Sequence, residues 1–180
     1  LLGMDSLLGG WENFYVIVGT TAGGLTGLTF VVIALIRDAS KVTPTSLGAF
    51  VTPTIVHFGG VLALAAFLSM PHQNPLSLSI GFGVAGVAGL IYCGFIAAGI
   101  RRQAVTYTPV LEDWLFNFVV PALVYALLLT AAVTIRVWPA ATLFAVASAA
   151  LVTLFVGIHN AWDIAVFMAT RTPPTAPPPK

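Results

Sequence analysis

The chain has 180 residues, 58% of them hydrophobic and only 7% charged, with a formal net charge of +1. Soluble domains carry roughly a quarter charged residues, so a water-soluble fold is excluded, and with no basic patch to displace counterions from a phosphate backbone, nucleic acid is excluded as a partner. What remains is an all-α, polytopic transmembrane helical bundle whose first partner is the lipid bilayer.

Crossing a hydrocarbon core about 30 Å thick with a helix rising ~1.5 Å per residue takes about 20 apolar residues. Five stretches qualify, at about 11–36, 49–70, 76–100, 111–136 and 139–169. They form a single transmembrane domain over residues 1–171, followed by a proline-rich tail, 172–180, expected to be extended or disordered. No Lys or Arg precedes the first apolar run, so a cleaved signal peptide is not predicted.

The first span opens with Trp11, Glu12 and Asn13 and contains "GTTAGGLTG", which sets Gly19, Gly23 and Gly27 at four-residue intervals. That helical stripe has almost no side chain, and in lipid such stripes let another helix approach closely. The approaching helix is one of the same subunit or one of an identical copy. The second span holds "FVTPTIVH", in which Pro53 marks either a capped helix start or a bend in a helix begun near Pro44; the choice sets the depth of His57. The "PHQNP" turn follows, and then a third span whose face of Ala85, Gly89, Cys93 and Ala97 repeats the small-residue theme. Cys93, the single cysteine, cannot form an intrachain disulfide and reads as a core residue.

In the fourth span Glu112 and Asp113 complement the helix dipole at its start. Pro121 removes the bond to the Asn117 carbonyl, which predicts a kink with a free acceptor. Arg136 ends this span as a snorkelling cation. The fifth carries "GIHNAWD", where His159 and Asp163, four residues apart, share one face beside Asn160.

Short-loop Lys and Arg stay on the cytoplasmic side. Arg37, Lys41, Arg101, Arg102, Arg171 and Lys180 fall on one side of a five-span arrangement against Arg136 on the other, giving the N-terminus outside and the C-terminus inside. Trp11 and Trp138 then mark the outer interface, and Trp114 and Trp162 the inner one.

Ionisable groups inside spans are costly and are functional candidates by default. His57, His159 and Asp163, with Asn160, are the candidates here, and the topology allows His57 and His159 to lie at similar depth. One reading makes them interfacial polar residues at the end of an over-long fifth helix. A second makes them a pore or proton relay at a cytoplasmic mouth, continued outward by the Thr20, Thr21, Thr26 and Thr29 hydroxyls. A third uses His57 and His159 as ligands of a haem b, or adds Asp163 to hold a divalent metal. No cofactor is predicted on the leading reading. A two-haem electron path is excluded by counting, because the remaining histidine, His72, lies in the outer loop.

The segments "WENFYVIVGTTAGGLTGLTFVVIALI" and "GIHNAWD" resemble stretches of small bacterial multi-span membrane proteins to which no activity is attached. The resemblance covers the first helix and part of the last, and it implies a multi-pass protein of the bacterial inner membrane. The expectation is therefore a self-associating protein, packed through faces such as Gly19, Gly23, Gly27 and Gly89, with a channel- or transporter-like role for an ion or small solute. The alternatives are a haem- or metal-binding redox protein and a non-catalytic accessory subunit of a larger membrane complex. No nucleophile with a positioned base is visible, which places hydrolytic enzymes last.

Overall fold

The computed structural model describes residues 8–39, 44–103 and 111–170. The tail at 172–180, with Lys41, Arg171 and Lys180, lies outside the described residues. The architecture is all-helical: α1 (Glu12–Ala39), α2 (Pro44–Leu68), α3 (Pro75–Gln103), the composite α4 (111–134) and α5 (Pro139–Thr170). Within α4, a short α-helix Leu111–Trp114 leads into a π-helical turn Leu115–Val119 and then an α-helix Val120–Thr134. Four apolar stretches, Glu12–Leu35, Pro75–Gly99, Leu115–Thr134 and Pro139–Val166, are long enough to cross a membrane, and a shorter one, Thr52–Leu68, lies in α2.

Helix α2 begins at Pro44 and continues through Pro53, the second of the two alternatives the sequence allowed. Its link to α3 is a tight polar turn. The Asn74 Oδ1 accepts hydrogen bonds from the Leu76 and Ser77 backbone N–H groups at 2.9 and 3.0 Å, and the Asn74 N–H donates to Ser77 Oγ at 3.0 Å. With Pro75 at the first helical position, this is a reciprocal N-cap that satisfies donors the helix itself cannot. The Gln73 Nε2 donates to the Phe67 carbonyl at 2.7 Å, closing the end of α2. His72 takes φ 59°, the left-handed conformation the reversal needs.

The α4–α5 junction is equally short. The backbone N–H groups of Val137 and Trp138 both donate to the Thr134 carbonyl at 2.9 Å, and the Thr134 and Thr142 hydroxyls lie 2.9 Å apart.

Packing follows the order α1, α2, α5, α4, α3, each helix seated mainly on its neighbour in that series. Helices α2 and α3, although joined by the 69–74 turn, hardly touch along their length. One core, including Tyr15, Leu68, Leu78, Phe82, Ile135 and Leu143, gathers toward the end that carries the two turns. A second, with Val18, Ala22, Phe58, Val61, Ala150 and Leu154, lies between α1, α2 and α5. Large apolar side chains are also exposed along the helices, among them Ile17, Leu35, Val84, Phe95, Leu123, Val133 and Phe155. An exposed apolar surface of this kind suits a membrane protein, since hydrocarbon solvates it without the penalty it would incur in water.

Glycine sets how closely the helices meet. A Cβ on Gly19 would stand 3.0 Å from the Ala65 Cβ, and one on Gly23 would be 3.9 Å from Leu62 Cδ1, so both pack on α2 within the subunit. Gly27 faces open space. Gly89 receives the ring of Tyr125, and Gly81 receives the ring of Phe67.

Candidate functional site

In α2, His57 lies about 16 Å from the Leu68 end at ~1.5 Å per residue, near the middle of the helix, because α2 begins at Pro44. His57 is 1% exposed and Thr54, three residues earlier, is 0% exposed. The imidazole lies near the Pro53 carbonyl one turn before it, yet neither ring nitrogen reaches hydrogen-bond geometry with that or any other described group. The Thr54 Oγ1 is also without a partner among the described residues. Two such groups, one turn apart on one helix, stand out because buried polar atoms are nearly always paired and an unpaired one costs ~1–3 kcal/mol.

Contact with α5 is made by the next residue. Phe58 fills the notch at Gly157, where an added Cβ would meet its Cε1 at 2.5 Å. This places His57, Gly157 and the "HN" pair of α5 at neighbouring levels. Asn160, 6% exposed, donates from Nδ2 to Asn117 Oδ1 in a long hydrogen bond of 3.4 Å. His159 packs against Phe116 with ring centroids 3.7 Å apart at 69°. Its Nε2 lies 3.7 Å from Asp163 Oδ2, close enough for an ion pair when the ring is protonated but longer than a direct hydrogen bond. Asp163 is exposed.

Phe116 and Asn117 both belong to the π-helical turn. There the Val120 N–H donates to the Leu115 carbonyl, five residues back instead of four. Pro121 at the next position has no N–H to donate and its ring presses on the preceding turn; the chain responds with the wider π register, a feature common at functional sites. At the place where the sequence predicts a kink the structure has this π-helical turn, from which Phe116 and Asn117 contact His159 and Asn160 of α5. Neither the Phe116 nor the Asn117 side chain was a candidate from sequence. An asparagine four residues before a proline inside an apolar span was the available signal.

Asp163, His159 and the Asn160–Asn117 pair lie together where α5 meets α4, while Thr54 and His57 are buried on α2. Beyond His57 the core is apolar, with Phe58, Val61 and Leu154. Of the expected threonine track along α1, Thr21, Thr26 and Thr29 each donate to the carbonyl four residues back, Ile17, Ala22 and Leu25, at 2.8 Å. Among the described residues no three His, Cys, Asp or Glu side chains come together to hold a metal, so His57, His159 and Asp163 do not form one such group.

Comparison with known proteins brings no relative: no family model, curated protein or solved structure matches the chain.

Proposed function

We propose that the chain is a channel- or transporter-like protein of a bacterial inner membrane, acting on an ion or small solute. All five helices cross the bilayer, with the N-terminus outside and the C-terminus inside as the Lys and Arg distribution indicates. The observation that carries the reading is His57: a titratable ring near the middle of α2, fully buried, with both nitrogens unsatisfied among the described residues. Such a group is expensive in lipid and is retained where it binds or passes something. The route from Asp163 to His57 forms the inner half of the path. The apolar layer of Phe58, Val61 and Leu154 is the barrier that a conformational change or a second subunit opens.

Self-association supplies that second subunit. On α1, Gly24 and Gly27 face open space beside exposed Leu28 and Val31, where a second copy packs closely.

The test is flux into proteoliposomes, read for protons with an entrapped pH dye and for small polar solutes by osmotic swelling. Wild-type protein is expected to exceed protein-free vesicles in one assay, with His57→Ala and Asp163→Ala altering that flux while eluting as wild type on size exclusion. No flux above empty vesicles in either assay, or equal flux in wild type and both variants, overturns the reading.

A further inference from the structure

A cavity of about 540 Å³ lies between α2 and α3, floored by α4 and α5. Its size is within the range of small-molecule sites, roughly 300–1,000 Å³. Small residues make the space: Gly60 and Ala63 on one wall, Ala85 and Ala88 on the other, Ala149 and Ala150 on the floor. Nothing stands within 4 Å of a Cβ built on Gly60. Within the same lining the notches at Gly81 and Gly89 are filled by the rings of Phe67 and Tyr125, whereas at Gly60 the space stays open.

The cavity opens sideways, because α2 and α3 hardly touch. Its lining reaches outward on α3 at Val84, which is 64% exposed. In a helix array that crosses a bilayer, that side is hydrocarbon. The lining is mainly apolar, with Tyr92, Tyr125 and Thr153 as its hydroxyl-bearing residues, and an empty apolar cavity forfeits the dispersion contacts of its lining. Near the 69–74 turn the two walls meet where Phe67 closes on Gly81.

We propose that this cleft is a non-annular lipid site that holds one acyl chain of a bilayer phospholipid, entering between α2 and α3. A flexible chain suits a laterally open and mainly apolar cleft, and the headgroup stays outside it. The site does not depend on the proposed transport role and lies on a different face of α2 from the Phe58–Gly157 contact.

The experiment uses full-length protein in phosphatidylethanolamine/phosphatidylglycerol vesicles containing a phosphatidylcholine with a diazirine on one acyl chain. After irradiation, adducts are mapped by peptide mass spectrometry. Adducts are expected at Gly60 or Ala63 and at Ala85 or Ala88 as well as at outward-facing Ile91 and Phe95. In Ala88→Trp the cleft adducts fall to background while those at Ile91 and Phe95 persist; Gly60→Leu, from the opposite wall, does the same. Adducts confined to outward-facing residues in wild type overturn the proposal even if neither variant folds, as do cleft adducts that survive both substitutions.

Discussion

Phe58 and Gly157 form a knob and a notch: the ring of one, 1% exposed, lies where the other would carry a side chain, with Cε1, Cδ1 and Cζ at 2.5, 2.8 and 3.2 Å from an added Cβ. The contact couples α2 to α5 and fixes His57 relative to His159 and Asn160. Gly157→Ala therefore forces the ring out of a filled site. A loss of ~1–3 kcal/mol in unfolding free energy is expected, the usual cost of overpacking, measured by denaturation in mixed micelles. Adding Phe58→Leu to Gly157→Ala is expected to recover part of that loss, because the smaller side chain leaves room for the methyl. Full additivity of the two changes would mean that the ring is not what the methyl strikes.

Gly19 and Gly27 look equivalent in sequence and differ in space. Gly19→Ala brings two methyl groups to 3.0 Å across the α1–α2 contact and is expected to lower monomer stability. Gly27→Ala meets nothing within 4 Å, and replacing a helical glycine gains up to ~1 kcal/mol of propensity. The same position reports on self-association: Gly27→Leu is expected to shift the oligomer toward monomer in size exclusion with light scattering, without lowering the thermal midpoint of the monomer. An unchanged oligomer would remove this face of α1 from the subunit contact.

The 69–74 turn offers a check away from the helices. His72 is exposed and holds φ 59°, a conformation that costs an L-residue ~1–2 kcal/mol and glycine nothing. His72→Gly is expected to leave thermal stability unchanged or raise it by up to ~1 kcal/mol, the relief of strain being partly offset by the added freedom of the unfolded chain. A clear loss would show that the imidazole makes a contact the turn depends on.

Helix class and approximate helix positions were legible because apolar runs of about 20 residues have few alternatives. The depth of His57 was not, since "TPTIVH" fits a helix start and a helix interior equally well, and only the continuation back to Pro44 decides. Spacing alone could also not separate Gly19 from Gly27: a stripe is a property of one helix, whereas its partner depends on the packing order α1, α2, α5, α4, α3. His159, Asn160 and Asp163 could be read from their four-residue face. Phe116 and Asn117 could not, because sequence rules place side chains on a regular 3.6-residue helix and the π turn breaks that register.

Asn117 and Asn160 are joined by a long bond of 3.4 Å between α4 and α5. Side-chain hydrogen bonds between membrane helices average ~0.6 kcal/mol in double-mutant cycles, and a coupling of about that size is expected between Asn117→Ala and Asn160→Ala. Pro121→Ala tests whether the π turn creates that pair. Restoring an N–H at position 121 permits a regular α-helix across the segment, and removing one residue from the bulge rotates Phe116 and Asn117 by about 100° relative to the following helix. The Asn117–Asn160 coupling is then expected to fall to zero in the Pro121→Ala background, while overall stability changes little or rises as an interior proline is removed. A coupling that persists at its original size would show that the turn keeps its π register without the proline, and that Leu115–Val119 is held open by α5 itself.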